Sequence, residues 1–291
     1  MILMTVFTEF PLLFIFASLL IGLLVGSFLN VVIYRLPKMM INAWQQEARE
    51  ILQLPQPTEP HTKFNLFLPC STCPYCGHKI TAIENIPIIS YLILRGRCRG
   101  CKASISKRYP LIELCSGILS GWIAWYFGFS VEALLLIFLT WGLIAMSMID
   151  IDHQLLPDSL VLPLLWIGIL ANTYGVFPDI SINSAILGAV IGYMSLWSVN
   201  ALFKLLRGYD GMGHGDFKLL ALFGAWGGYQ ILPVVILLSA AAGAVIGIIG
   251  VLLFAGKNKM PYGPYLAIAG WIALIWGQDI VAAYLKFSGL N

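Results

Sequence analysis

Seven stretches of this chain are too long and too apolar to be at ease in water. They fall at about 10–34, 111–128, 131–149, 159–177, 182–206, 231–255 and 264–286. A hydrocarbon core of roughly 30 Å needs about 20 such residues per helical crossing. An eighth stretch, about 217–229, is shorter and glycine-rich, and reads as a shallow or tilted helix. With 59% of its 291 residues hydrophobic, only 11% charged and a mean hydropathy of +0.85, the chain lacks the polar surface of a water-soluble domain. In lipid every backbone N–H and C=O must be paired, and a helix does this within one segment. The expected fold is an all-α polytopic membrane protein of about eight transmembrane helices. Gly22-x-x-x-Gly26 and Gly243-x-x-x-Gly247 read as helix-packing patterns.

The basic residues set the orientation. If the N-terminus lies outside, all of the 17 Lys and Arg except Lys286 fall on the inner side or within a turn of it. The first hydrophobic segment is not expected to be a cleaved signal. It has no basic n-region, its apolar run is too long, and Arg35-Leu36-Pro37-Lys38 follows as a stop-transfer flank. The net charge of +3 reflects this topology and anionic lipid headgroups, and points to no nucleic acid. Three parts are expected: a first transmembrane helix in 1–34, a cytoplasmic loop domain in 35–110, and a seven-helix membrane core in 111–291.

The loop is too small to hold a large core and needs a staple. Cys73-Pro74-Tyr75-Cys76 and Cys98-Arg99-Gly100-Cys101 supply one. Two CxxC pairs read as two knuckles giving four thiolates to one tetrahedral ion, and zinc is the expected metal. A reducing cytoplasmic face disfavours disulfides. Four thiolates close the shell, so the site is structural. Cys70 and His78 read as bystanders and Cys115 as a small core residue. Asn42–Leu54 suggests an amphipathic helix, and the proline-bearing stretch after it an irregular linker.

Carboxylates at a bilayer edge are expensive, and two stand out. Asp150 ends one apolar run and Asp216 opens another from the same side. As helix starts, Asp216 and Asp158 each also fit an N-cap. Asp152 and His153 read as interfacial polar residues. Gly211, Gly213 and Gly215 before Asp216 allow positive φ and close backbone approach, so an extended substrate could lie against the carboxylate. Gly213 and Gly215 are the expected substrate-approach positions. A phosphate loop would need G-x-x-x-x-G-K-[ST], which is absent.

Asp150 to Asp158 matches D-x6-P-[DN], and Gly213 to Asp216 matches G-x-G-D. With Gly26-Ser27-Phe28-Leu29-Asn30 through Pro37, the cysteine tetrad, and Glu84-Asn85-Ile86-Pro87 through Arg99, the chain resembles the type IV prepilin peptidases, membrane aspartic proteases of the GxGD type. The resemblance implies an aspartic endopeptidase of the bacterial inner membrane, with its N-terminus periplasmic and its active site facing the cytoplasm. Its substrates would be type IV prepilins and the pseudopilins of type II secretion, cut after a glycine that follows a short basic leader. Forms carrying the cysteine loop also N-methylate the new N-terminus with S-adenosylmethionine. The resemblance places the catalytic pair at Asp150 and Asp216 and structural Zn2+ on Cys73, Cys76, Cys98 and Cys101. No G-x-G-x-x-G turn follows a strand, so the methyl donor must be held elsewhere. Glu84, Asn85 and Gly96 are its candidate lining.

In the expected chemistry one carboxylate takes a proton from water while the other, protonated, donates to the scissile carbonyl or the leaving amine. Glu84, Asp152, Asp158 and Asp210 are candidates to attract the basic leader. The competing class is an ion- or proton-coupled transporter using the same carboxylates. A non-catalytic scaffold with the metal loop as docking module is a second rival.

Overall fold

A computed structural model describes residues 2–54, 64–254 and 260–289, and among these the only regular elements are helices. They are α1 (Ile2–Glu9), α2 (Pro11–Ile51), α3 (Ile89–Ile93), α4 (Arg108–Phe127), α5 (Val131–His153), α6 (Asp158–Thr173), α7 (Ile182–Arg207), α8 (His214–Gly227), α9 (Leu232–Phe254) and α10 (Gly263–Ser288). All eight apolar stretches form helix. Among the described residues five helices are long and apolar enough to cross a membrane: α2, α5, α7, α9 with the 3-10 turn before it, and α10. The helices α4, α6 and α8 fall short of that standard. Two of them are only 16 and 14 residues long, and α4 carries Arg108 and Glu113 in its first two turns. The chain divides into two compact units, 1–145 and 146–291, with the division inside α5.

In the first unit α2 does not stop at the expected flank. It runs 41 residues through Pro37, so the first apolar run and the amphipathic stretch after it form one helix of about 60 Å. Arg35 is no exposed stop-transfer charge. It is 7% exposed, and its guanidinium donates to the carbonyls of Asn65 at 2.9 Å and Pro69 at 2.6 Å. Beyond Pro37 the helix turns polar and exposed, from Asn42 through Glu50. The proline-bearing linker falls largely on 55–63, outside the described residues. Helix α4 packs along α2 because small residues face each other. A Cβ on Gly22 would stand 2.6 Å from Ser120 Oγ, and one on Gly26 would stand 2.7 Å from Glu113 Cα. Gly243 and Gly247, by contrast, have only ordinary contacts at 3.7 Å and beyond, so that second pattern is no close helix approach. Cys115 is exposed on α4, not buried as expected.

The second unit is built around α8. From Phe217 to Gly227 this helix is buried on nearly every side, which its apolar composition permits all round. α6, α7 and α10 enclose it. Glycines set the distances: a Cβ on Gly224 would overlap the Gly188 carbonyl of α7, one on Gly168 the Trp226 indole, and one on Gly270 the Phe223 ring. Buried polar groups fix the register. Trp226 Nε1 donates to the Leu164 carbonyl at 2.8 Å, and Asn172 Nδ2 to the Ala225 carbonyl at 2.9 Å. Helix α9 is the other extreme, apolar throughout but little buried, as a lipid-facing helix should be.

Because the α7–α8 crossing is a backbone contact, Gly224→Ala forces two helices apart. It should cost about 1–3 kcal/mol, read as a lower thermal midpoint in detergent. Gly250→Ala meets nothing within 4 Å and should be neutral or slightly stabilising.

Candidate active site

Asp150 and Asp216 both belong to the second unit, and both are buried, with 6% and 8% of their surface exposed. Asp150 lies in the last turn of α5. A helix C-terminus concentrates negative partial charge, so a carboxylate there needs a donor. The donor comes from far along the chain: the Gly263 N–H, first of α10, reaches Asp150 Oδ2 at 2.9 Å. A side chain at that position would push the carboxylate away, since a Cβ would stand 2.7 Å from the same oxygen.

Asp216 lies in the first turn of α8, where the dipole favours an anion. It is not the N-cap. That residue is Gly213, whose carbonyl accepts the Asp216 N–H at 3.2 Å and whose backbone hydrogen-bonds the Asp216 carboxylate in return. Asp158 is not an N-cap either. Pro157 precedes it, and its carboxylate is bound by Lys218 Nζ at 2.7 and 2.8 Å. The Asp150 and Asp216 carboxylates are close enough for the charge of one to act on the other, and the Asp216 charge acts on Tyr262. The Tyr262 hydroxyl is held by Ser239 Oγ at 2.7 Å.

The glycines before Asp216 work differently from expectation. None of the three adopts positive φ; Gly213 has φ −74°. Gly211 and Gly215 permit close packing instead, their missing Cβ atoms standing 2.8 Å from the Phe203 ring and 2.7 Å from Leu156. Gly213 alone faces open space, with Asp216 Oδ2, 3.8 Å away, the nearest atom. The turn is fastened by Asn200 of α7. Its Oδ1 accepts the N–H groups of Gly211 at 2.9 Å and Met212 at 3.1 Å, and its Nδ2 donates to Asp210 at 3.1 Å. Lys204 Nζ completes the tie to Asp210 at 3.0 Å and, with Asn200, holds that carboxyl below its usual range. Sequence reasoning passed over Asn200, Tyr262 and Gly263. The signals were a buried amide in an apolar helix and a glycine before the proline that opens α10.

In the first unit the four cysteines converge. Sγ of Cys73, Cys76, Cys98 and Cys101 all lie within 4.8 Å of one another, with Cys73–Cys101 at 3.8 Å and Cys76–Cys98 at 3.9 Å. A tetrahedral site with metal–sulfur bonds of about 2.3 Å has edges of about 3.8 Å, so the donor set fits a thiolate-bound ion. The two knuckles share one hydrogen-bond pattern. Cys73 takes the Gly77 N–H and gives its own to the His78 carbonyl; Cys98 does the same with Lys102 and Ala103. Gly77 and Lys102, at matching places, have φ +69° and +62°. Backbone N–H groups of Tyr75 and Cys76 bring the Cys73 thiol down to about 7. Cys76, despite the His78 N–H, is pushed up to about 11 by burial and its thiol neighbours. Four thiols this close cannot all ionise without a cation among them. Cys70 and His78 stand outside the cluster.

The candidate donor-lining residues are already engaged. The Glu84 carboxylate accepts from the Thr81 N–H at 2.9 Å, the Thr81 hydroxyl at 3.0 Å and His78 Nε2 at 3.2 Å, with Arg99 at 3.9 Å. Asn85 Oδ1 takes the Ser27 hydroxyl at 3.4 Å. Gly96, at φ +67°, lies where a Cβ would stand 2.8 Å from the Tyr91 hydroxyl. Glu84, Asp158 and Asp210 are therefore neutralised by their own neighbours.

The model of the bacterial peptidase A24 N-terminal domain matches residues 20–127, and that of the type IV leader peptidase family matches residues 137–248. A Stutzerimonas stutzeri protein called prepilin leader peptidase/N-methyltransferase is 60% identical over 283 residues, 96% of each chain. The chain belongs to the type IV leader peptidase family. Pseudomonas aeruginosa and Aeromonas hydrophila proteins of the same name are 58% and 50% identical, over 97% and 94% of this chain and 97% and 95% of theirs. No solved structure matches.

For this family member the loop's acid response follows from its ties. The Thr81 N–H, opposed by burial and helped by His78 and the Thr81 hydroxyl, holds Glu84 at about 2 against an ordinary 4.5. A lowered folded value means that this contribution is whole above 4.5 and lost only as pH falls towards 2. Acidification from pH 7 to about 5 should therefore spare the Glu84 tie, while protons would compete with any ion held by the four sulfurs and release it. A chromogenic chelator reads the release, and Cys73→Ser should open the loop to limited proteolysis at pH 7.

Proposed function

We propose that this chain is a membrane-embedded aspartic endopeptidase that removes the basic leader of type IV prepilins, and of type II secretion pseudopilins, and then N-methylates the new N-terminal residue. The observation that supports the peptidase half is that Asp150 and Asp216, both buried, at the end of α5 and the start of α8, lie near enough for the charge of one to act on the other, beside the open face of Gly213. The curated relatives' names support both activities.

The chemistry follows from the pair. Two adjacent carboxylates share one proton more cheaply than they hold two charges, so they titrate as a unit. The ionised member removes a proton from water, which attacks the scissile carbonyl. The protonated member gives its proton to the carbonyl oxygen or to the departing amine. Gly263 N–H keeps the Asp150 carboxylate oriented through the cycle, and Asn200 keeps the turn before Asp216 in place. The bare backbone at Gly213 leaves room for an extended peptide. Gly215 serves that approach indirectly, by letting the turn pack on Leu156.

Eight helices cross or enter the membrane in this reading, α4, α6 and α8 among them, with the N-terminus periplasmic and the carboxylates at the cytoplasmic face of the bacterial inner membrane. The prepilin's apolar helix lies among the spans in lipid, and its leader emerges at carboxylate depth. Residues 35–110 act as the cytoplasmic loop domain, with Zn2+ on Cys73, Cys76, Cys98 and Cys101 as its staple, and 111–291 as the membrane core. S-adenosylmethionine supplies the methyl group. The segment from Glu84 to Gly96 remains its candidate lining, with Asn85 and the Gly96 turn better placed than Glu84, whose oxygens are taken.

Purified enzyme given a prepilin and S-adenosylmethionine should yield a product lighter by the leader and heavier by one methyl group, read by mass spectrometry. Asp150→Asn and Asp216→Asn should each lower cleavage by about 10,000-fold or more while the protein still inserts; processing retained by either variant would refute the dyad. Gly263→Ala should lower cleavage about 100-fold, the usual penalty for misplacing a catalytic group by about 1 Å. Gly243→Ala, with no contact closer than 3.7 Å, should leave it unchanged.

A further inference from the structure

Glu113 is a buried carboxylate that the peptidase chemistry does not use. It lies in the second turn of α4 with 8% of its surface exposed. Its Oε2 accepts the Ile88 N–H at 2.8 Å, and the Ser27 hydroxyl of α2 bonds it as well. The groups found acting on it are the Ile88 N–H and the Ser27 hydroxyl, with no Lys, Arg or His among them. Buried carboxylates are normally paired, so one held only by neutral donors has capacity for a cation.

The segment facing it is strained. Ile88 has φ +59° and ψ −49°, a region a β-branched residue very rarely adopts. The Pro87 carbonyl accepts the Ile89 N–H at 2.5 Å, closing the strained form of γ-turn around it. That strain aims the Ile88 N–H at Glu113. Such outliers collect where a backbone is held for a purpose.

The donors and acceptors of this cluster are unequal. The Asn30 amide is spent on the carbonyls of Gly26 at 3.2 Å and Tyr109 at 3.3 Å, and Ser27 is shared between Glu113 and Asn85. What remains is acceptor capacity, chiefly on Glu113. The complement is a ligand that only donates, and a primary ammonium with three N–H bonds is that ligand.

We infer that Glu113, presented by the strained Ile88 turn and by Ser27, receives the α-ammonium of the cleaved peptide and acts as the base for its methylation. The inference rests on the N-methyltransferase half of the function proposed above. The ammonium passes a proton to Glu113, which frees the nitrogen lone pair. An N–C bond then forms as the bond from the methyl carbon to the sulfonium sulfur breaks, its electron pair leaving with a neutral thioether. The nitrogen becomes a methylated ammonium, and Glu113 returns its proton to water.

The test compares native enzyme with Glu113→Gln and Glu113→Asp. Leader cleavage, methylation of a pre-cleaved peptide, and equilibrium binding of radiolabelled methyl donor are measured separately. Glu113→Gln keeps the shape and an acceptor for the Ile88 N–H, and should lower methylation by about 100-fold or more, the usual contribution of a general base. Cleavage and donor binding should stay within about twofold of native. Glu113→Asp, which keeps the charge but draws it back, should fall between. Full methylation by Glu113→Gln overturns the role of Glu113 alone. Loss of donor binding with methylation overturns it too, by assigning the carboxylate to the donor's own ammonium. Equal loss of cleavage and methylation marks a structural residue. A native enzyme that leaves the amine unmethylated overturns the activity and the inference together.

Discussion

Asp150 occupies the part of an α-helix least hospitable to a carboxylate, where unpaired carbonyls gather negative partial charge. It is also buried. The second unit answers with the one kind of donor a helix has to spare, a first-turn N–H without an intrahelical partner, supplied by Gly263 at the start of α10. Pro264 at the next position helps define where that helix begins. The requirement for glycine is steric, because any Cβ would displace the oxygen it serves. Asp216 is placed by the opposite means, at a helix start where the dipole favours it. Two acids can meet only because one helix ends and another begins at the same place.

Holding that meeting point in an apolar environment explains the burial of α8. A 14-residue helix has little length with which to anchor itself. Anchoring comes from glycines at Gly168, Gly188, Gly224 and Gly270, which bring neighbouring backbones and rings to contact, and from the buried amide of Asn172. Asn200 does the same for the turn ahead of it. The turn's glycines then do not need unusual dihedrals. They supply absence of bulk, against Phe203, against Leu156 and, at Gly213, beside the Asp216 carboxylate.

Much of this was legible in the sequence. Hydropathy located the eight long apolar stretches, since lipid leaves a backbone no alternative, but not the short helices α1 and α3, and the two acid motifs named carboxylates whose charges reach each other. The CxxC spacing named the thiols that converge. What hydropathy could not see was continuity: α2 runs past Arg35 because Arg35 finds carbonyls at Asn65 and Pro69, contacts made across sequence distance. Nor could spacing reveal Gly263, which matters only once α10 has folded back to Asp150. The N-cap readings of Asp216 and Asp158 failed for a related reason. A local motif assigns a side chain to its own helix, whereas Asp158 is claimed by Lys218 and the Asp216 carboxylate feels both the Gly213 backbone and the charge of Asp150.

The transporter alternative uses the same two acids and meets the same cost of burial, so burial alone does not separate the readings. Position does. Coupling-ion sites are built at the middle of broken helices, with unwound carbonyls around the ion. Here Asp150 is in the last turn of α5 and Asp216 in the first turn of α8, and the partners identified for the first are an N–H donor and a second carboxylate. An N–H donor orients a carboxylate without neutralising it and offers a cation nothing to bind. A pair so arranged is suited to exchanging a proton with a reacting peptide, and the open backbone beside Asp216 gives that peptide somewhere to lie.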